Sequence, residues 1–321
     1  MLILNEQDML QAVTMNDVIL AIEEAYTLYD SSDFLMPLRN QLSDDDHTML
    51  LMPCIANDSA GLKVVHVSPN NREYPVTQGI MILNNRENGS IQAILNGTVL
   101  TNMRTGAIGG VAIKYLALEN AASVGLIGTG TQGFHQLIAA CTVRDIKHIY
   151  LWSRTPSKLP SFVHNLKKHI ANDIKIHIVN NTSELVYEAD IIITATTSNT
   201  PVLPDIQNIY NGKLLIGIGS YQPQMREFSD AVYQNLDVIY IDTLDAIHES
   251  GDVIDPIHNH WITATQVIPF SKVVTHKVKP TLSEFQPTVF KSTGMALFDL
   301  VVGQVIYEKA LNQQIGQSVH L

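Results

Sequence analysis

Cysteine, tryptophan and positive charge are all scarce in this chain. Among its 321 residues are two cysteines, Cys54 and Cys141, two tryptophans, and 20 basic against 31 acidic side chains, for a formal charge of -11. Two thiols with few polar neighbours predict a pair of buried, reduced cysteines rather than a disulfide. No cysteine-histidine spacing builds a zinc site, and the histidines are scattered; His164, His169 and His177 read as residues of solvated faces, so no metal is expected. With no basic run long enough to follow a phosphate backbone, nucleic acid is not expected as a partner. No stretch reaches the about eighteen uncharged apolar residues that a membrane span requires, and "MLILNEQDML" has no basic region ahead of an apolar signal core. These absences point to a cytoplasmic protein with no membrane partner.

Apolar residues, by contrast, are plentiful: 45% of the chain is hydrophobic, enough to fill the cores of two domains. "TMNDVILAIEEAYTLY" from Thr14 opens with a capping pattern to Asp17 and continues at helical spacing. From His47, "HTMLLMPCI", "AGLKVVHV", "QGIMILNN" and "GSIQAIL" are short strand-like runs. "ENGS" and "LNGT" read as tight turns between neighbouring strands, which predicts an antiparallel meander. "LTNMRTGAIGGVAIKYLALE" then predicts a helix from near Thr101 to before Asn120, with glycines at 106, 109 and 110 for close packing.

From Ala122 strands and helices alternate, the pattern of a parallel sheet covered on both faces. Strand "SVGLIG" leads to a helix over 131–143, strand "HIYLWS", a helix over 156–169, strand "IKIHIV" and a short helix over 183–187. Strands "DIIITAT" and "GKLLIGIG", a helical piece from Glu227 and strand "DVIYID" complete the series. After Gly294 comes a long apolar helix, too helical for another sheet unit, which is expected to return to the first domain. The fold class is therefore α/β: a Rossmann-like dinucleotide-binding domain over 119–290, and a discontinuous α+β domain formed by 1–118 with 291–321.

In "GTGTQG", Gly128, Gly130 and Gly133 have the spacing of a dinucleotide fingerprint, between a strand and a helix. Gly128 serves the sharp turn, Gly130 the approach of a pyrophosphate, and Gly133 the close packing of helix on sheet. Thr129, Thr131 and Gln132 complete the cofactor-facing turn, and the helix start adds unpaired N-H groups and a favourable dipole. After the next strand, Ser153, Arg154 and Thr155 stand where NAD enzymes commonly carry an acid for the ribose. A cation there suits the extra phosphate of NADP(H), the preferred cofactor, with NAD(H) as the other option. Ala195 and Thr196, at the end of "DIIITAT", are further cofactor candidates.

Three cations stand apart in the first domain: Arg39 in "MPLRN", Lys63 in "AGLKVV" and Arg104 in "LTNMRTGA". Lys63 lies in an apolar strand, where an unpaired ammonium is expensive. Arg104, in the first turn of its expected helix, opposes the helix dipole. Together they form a clamp for an amino- or imino-acid carboxylate, or they make separate salt bridges; the residues alone leave both open.

The stretches "MPLRN", "GLKVV", "ILNNRENGSIQAILNGTVLTNMRTGAIGGVAIKYLA", "GLIGTGTQG", "GIGSYQPQMREF" and "VFKSTGMALFDL" resemble, in order and over essentially the whole chain, the ornithine cyclodeaminase/mu-crystallin family. The resemblance implies a homodimer. It also implies that Arg39, Lys63 and Arg104 surround a substrate carboxylate, with Lys63 and Arg104 as catalytic residues. Thr77 would lie near cofactor and substrate, and Ser292, Thr293 and Gly294 near the nicotinamide, Ser292 on the cofactor and Gly294 on the substrate. Ornithine cyclodeaminases carry an aspartate where this chain has Tyr221, so Tyr221 becomes a substrate-side residue. Glu227, in the same segment, is given no catalytic role. "SYQPQMRE" is similar to the pyrroline-2-carboxylate reductase branch. That branch implies an oxidoreductase reducing a cyclic ketimine acid to a cyclic amino acid such as L-proline. Ornithine cyclodeamination, an alanine or N-substituted amino-acid dehydrogenase, and a non-enzymatic NADP-binding protein are the alternatives.

Overall fold

The computed structural model describes residues 1–44, 46–234 and 236–320. They divide into two compact units, one formed by Met1–Arg104 with Met295–Leu321, the other by Thr105–Gly294. Both contain α-helices and an eight-stranded sheet.

The first unit begins with β1 (Leu2–Leu4), α1 (Glu6–Ala12) and α2 (Met15–Ser31). The α2 start is a capping box: the Thr14 hydroxyl accepts from the Asp17 N-H while Asp17 Oδ2 accepts from the Thr14 N-H at 2.9 Å. Ser32 ends it in the left-handed region, at φ 60°. Strands β2 (Phe34–Leu35), β3 (Asn40–Asp44), β4 (His47–Ala56), β5 (Ser59–Val67), β6 (Thr77–Asn85) and β7 (Ile91–Asn96) follow, β4 to β7 as the expected antiparallel meander.

Only one of the two turn signals makes a hairpin. "ENGS" joins β6 to β7 with Gly89 at φ 73°, but "LNGT" opens a helix, α3 (Gly97–Leu116). Asn96 Oδ1 accepts from the N-H groups of Thr98 and Val99, at 3.0 and 3.1 Å, which satisfies first-turn donors instead of closing a turn. A side chain at Gly97 would meet the Gly79 and Ile80 backbone at 2.7 Å, so the site requires glycine. Because α3 starts at Gly97 rather than near Thr101, Arg104 sits in its second turn, and the dipole argument does not apply to it.

In the second unit, β8 (Ser123–Ile127), α4 (Thr131–Val143), β9 (His148–Trp152), α5 (Leu159–Leu166), β10 (Lys175–Ile178), α6 (Thr182–Glu188), β11 (Ile191–Thr194) and β12 (Leu214–Gly217) follow the expected alternation. The helical piece expected from Glu227 is absent. The N-H groups of Glu227 and Phe228 donate to Asp252 Oδ1 instead, and only a 3-10 turn, Asp230–Val232, forms beyond them. Then come β13 (Ile239–Ile241), α7 (Ala246–Glu249), α8 (Gly251–His258), β14 (Val267–Pro269), α9 (Ser271–Val274) and β15 (Thr288–Lys291). Ahead of Gly294 stands a strand that was not expected: β15 lies between β12 and β13, all four of its residues buried.

The order β10-β9-β8-β11-β12-β15-β13-β14 is parallel throughout, a doubly wound sheet whose direction of winding reverses between β8 and β11. The glycines expected to pack closely do so on α4. A Cβ at Gly106 would stand 2.7 Å from the His135 carbonyl, and one at Gly109 would stand 1.8 Å from Gln136 Oε1.

The chain returns to the first unit in α10 (Ala296–Asn312) and β16 (Gln317–Ser318). Helix α10 packs on α2 and on strands β4 to β6, with Phe298 edge-on to Tyr26 at 4.9 Å between ring centroids. The first sheet runs β16-β1-β7-β6-β5-β4-β2, with β3 also on β4. Cys54 is buried and Cys141 half-buried. Both are free, and burial pushes them up to about 12 and about 11, which suppresses thiolate chemistry. Among the described residues no helix is long and apolar enough to cross a membrane, and no group of three or more His, Cys, Asp or Glu could hold a metal.

Candidate functional site

In the first unit, Lys63 projects from the middle of β5 into the core, 1% exposed, with buried Met52 and Met81 as its neighbours across the sheet. An ammonium there needs a partner. It finds Asp299: Lys63 Nζ donates to Asp299 Oδ2 at 2.6 Å and to Thr101 Oγ1 at 3.3 Å. Asp299 lies in the first turn of α10, where the helix dipole favours a carboxylate. Its other oxygen accepts from Arg104 Nε at 3.1 Å. Lys63 and Arg104, 7% exposed, therefore meet on one carboxylate. The half-buried Arg39 adds a third positive charge whose field acts on Lys63. Burial pushes the Lys63 ammonium down to about 8, the charges of Arg104 and Arg39 push the same way, and Asp299 opposes them. Lys63 and Arg104 on one carboxylate leave a surplus of positive charge in a poorly solvated place, which suits an anionic ligand. Thr77, the first residue of β6, is half-buried, and its carbonyl accepts from Thr98 Oγ1 at 3.4 Å.

In the second unit, Gly128 follows β8 at φ 104°, and a Cβ there would stand 2.5 Å from the Ala195 carbonyl beyond β11. The turn therefore lies at the winding reversal, where open α/β sheets bind ligands. A Cβ at Gly133 would stand 2.3 Å from the Gly128 carbonyl, so this glycine holds the helix against the strand. Gly130 differs: nothing of the protein lies within 4 Å of where its Cβ would be. It also caps α4 with no side-chain hydrogen bond, whereas α1 and α2 are closed by capping boxes. A helix start left uncapped beside open space fits a dinucleotide pyrophosphate, with Gly128, Thr129, Gly130, Thr131, Gln132 and Gly133 forming the turn.

Beyond β9, Ser153 Oγ accepts from the Thr155 N-H at 3.2 Å, and Arg154 and Thr155 are exposed. The Thr196 hydroxyl is already engaged: it donates to Glu227 Oε1 at 2.8 Å and accepts from the Ser198 N-H at 3.3 Å. At the C-terminal end of β15, Asp242, fully buried, accepts from Ser292 Oγ at 2.6 Å and from the N-H groups of Thr293 and Gly294, at 3.1 and 2.8 Å on Oδ2. Gly294 is at φ 76°, a conformation that favours glycine. Tyr221 is half-buried after the buried Ser220.

The model of the ornithine cyclodeaminase/mu-crystallin family matches residues 1–314. The chain belongs to that family. Among its relatives, the Delta(1)-pyrroline-2-carboxylate reductase of Bacillus cereus is 31% identical, over 99% of each chain. The structure of Thermococcus litoralis Delta(1)-pyrroline-2-carboxylate reductase in complex with NADH and L-proline superposes with a TM-score of 0.92 at 29% identity, covering 99% of this chain and all of that one. An archaeal alanine dehydrogenase dimer with bound NAD gives 0.91 at 29% identity, covering all of this chain and 99% of the other. A nicotinamide cofactor is thus supported from both sides, by these family members and by the open, uncapped turn at Gly130.

Sequence reasoning missed three acids and a lysine that organise these places: Asp299, Asp242, Asp252 and Lys291. Asp299 carried a usable signal, since it is the only acid in the apolar run "ALFDLVVGQVIY". Lys291 lies in a four-residue strand whose residues are all buried, a setting like that of Lys63 but too short to be read from the sequence.

Proposed function

We propose that the chain catalyses NAD(P)H-dependent reduction of a cyclic imino acid, 1-pyrroline-2-carboxylate or a similar ketimine, to a cyclic amino acid such as L-proline. The observation that carries this reading is the meeting of Lys63 and Arg104 on Asp299, with Arg39 adding its charge. Asp299 engages Arg104 through Nε, so the two Nη groups are offered to a substrate carboxylate as a bidentate fork. Lys63 already donates hydrogen bonds to Asp299 and Thr101, which leaves a third N-H for the substrate. Held near its titration point, it is suited to hold or pass the proton that the imine nitrogen gains. When bound, a reduced nicotinamide supplies the hydride that adds to the C=N carbon, leaving an amine and the oxidised cofactor. Fixed cations orient the acceptor and stabilise charge without reorganising.

Arg154, exposed after β9 between Ser153 and Thr155, supports a preference for NADP(H) over NAD(H). Tyr221, in place of the aspartate of ornithine cyclodeaminases, supports imine reduction over ornithine cyclisation. An alanine or N-substituted amino-acid dehydrogenase is the second reading, favoured by the nearly equal superposition on the archaeal alanine dehydrogenase. The working form we propose is a cytoplasmic homodimer, in keeping with that relative's dimer.

The test is a panel of cyclic ketimines, pyruvate with amines, and ornithine, each with both cofactors. Oxidation of NADPH by a cyclic ketimine supports the proposal. Ammonia and proline formed from ornithine with catalytic NAD+ overturn it, and amine-dependent oxidation with pyruvate alone favours the second reading.

A further inference from the structure

Glu227 takes no part in the proposed chemistry, yet it is among the most heavily bonded side chains of the second unit. It is fully buried. One carboxylate oxygen, Oε1, accepts from the Thr196 N-H at 2.7 Å and from the Thr196 hydroxyl at 2.8 Å. The other, Oε2, accepts from the Gly219 N-H at 2.7 Å and the Ser220 N-H at 3.2 Å. Each oxygen therefore holds a different loop, one leaving β11 and one leaving β12. The loops touch directly as well: a Cβ at Gly219 would stand 2.0 Å from the Thr196 carbonyl and 2.4 Å from its nitrogen.

The support behind Glu227 is also built. Its N-H donates to Asp252 Oδ1 at 2.8 Å, and its carbonyl accepts from the Val202 N-H at 2.8 Å. Asp252 Oδ2 is ion-paired with Lys291 Nζ at 3.2 Å, both side chains fully buried. Lys291 directly precedes the Ser292–Gly294 segment held by Asp242. Ser220 Oγ is bonded in turn to the Met225 carbonyl and to Ser250 Oγ, each at 2.6 Å. Neutralising Lys291 does not require Glu227, because Asp252 makes that ion pair. What needs Glu227 is the set of four donors: only an ionised carboxylate accepts from all of them while bringing no proton of its own. Burial raises the Glu227 carboxyl, and the charge of Lys291 opposes that rise.

We propose that Glu227 is a positioning residue that locks the Thr196 loop to the Gly219–Tyr221 loop, so that the cofactor-side and substrate-side backbone of the second unit hold one fixed spacing. The proposal rests on the functional reading above and on the expectation from the sequence that Ala195 and Thr196 face the cofactor and Tyr221 the substrate. It says that removing the carboxylate loosens both loops together and costs turnover through misplacement.

The test compares the full-length protein with Glu227→Ala and Glu227→Gln. It measures hydrogen exchange of segments 194–200 and 217–225, the Kd for NADPH, and kcat and KM with 1-pyrroline-2-carboxylate. In Glu227→Ala both segments exchange faster, and kcat falls by about 10- to 100-fold at saturating cofactor, the scale of an ångström misplacement. Glutamine keeps one acceptor, and that oxygen is best used on Gly219 and Ser220, whose donors are both backbone N-H groups. Its amide then faces Thr196, whose hydroxyl can turn to accept. Glu227→Gln accordingly loosens 194–200 more than 217–225 and weakens NADPH binding more than it raises the imine KM. If Glu227→Ala does not fold, this asymmetry in Glu227→Gln decides the matter. Loosening of one segment or neither in Glu227→Ala, a symmetric response in Glu227→Gln, or kcat within about twofold of wild type despite loosened loops overturns the proposal. A wild-type protein that reduces no cyclic imine refutes the proposed reaction, while the exchange rates and the NADPH Kd still judge the clamp.

Discussion

Each unit buries a lysine in its sheet and pairs it with an aspartate from a helix, yet the two pairs do opposite things. Lys63 and Arg104 share Asp299, at 2.6 and 3.1 Å, so positive charge is in excess. Lys291 meets Asp252 at 3.2 Å close to Glu227, so the acids are in excess, and backbone N-H groups absorb that surplus. A surplus of cations has no such outlet, because the backbone near them would have to offer carbonyls and a strand has already used its own in the ladder. The sign of the unmatched charge, not the presence of a buried ion pair, separates a place suited to an anion from one that holds loops.

Changing each lysine to methionine separates the two pairs most strongly. Lys291→Met leaves Asp252 and Glu227 buried without their cation, and the expected loss is about 3–5 kcal/mol of stability in urea denaturation. Lys63→Met leaves Asp299 its bond to Arg104, so the fold holds to within about 1 kcal/mol. Its kcat/KM for the imine falls at least about 100-fold, or about 2.7 kcal/mol of transition-state stabilisation. If instead Lys63→Met unfolds the protein and Lys291→Met only slows it, the assignment is reversed.

The Lys63 pair also responds to pH. On the proposed reading the charged form of Lys63 binds the substrate carboxylate, and burial holds its pKa down to about 8. Activity is therefore full below that value and falls as pH rises through it, approaching about tenfold per pH unit. Lys63→Arg, whose charge persists, removes this fall whatever activity it retains. Stability follows the opposite sign. Between about 8 and the ordinary lysine value of 10.5 the unfolded chain holds a proton that the folded chain has released, so stability rises with pH across that window, and Lys63→Met abolishes the rise. The smallest effect is expected at the exposed Arg154. Arg154→Ser shifts the ratio of kcat/KM with NADPH to that with NADH toward NADH by about tenfold, the scale of one charge-assisted contact.

Legibility in the sequence followed the range of the interactions. Helix α4 was read at its observed ends, 131–143, because strand, glycine turn and helix are neighbours and their signals are local. Asn96-Gly97 misled, since the same dipeptide that turns a hairpin can also cap a helix, and only the packing of Gly97 on Gly79 and Ile80 decides between them. β15 was missed because four residues ahead of a glycine carry too little pattern to distinguish a strand from a helix approach. Lys63 and Arg104 stood out as isolated cations, but the residue that unites them lies 236 positions from Lys63 and 195 from Arg104.

By itself the sequence determined where apolar periodicity changes, where the glycine turn falls, and which charged residues stand in apolar surroundings. Those are properties of a few consecutive residues and of the cost of burying charge. The tertiary structure alone decided which acid answers each lysine and which loops share Glu227, because a hydrogen bond needs its two atoms within about 3 Å and nothing in the order of residues along a chain specifies that distance.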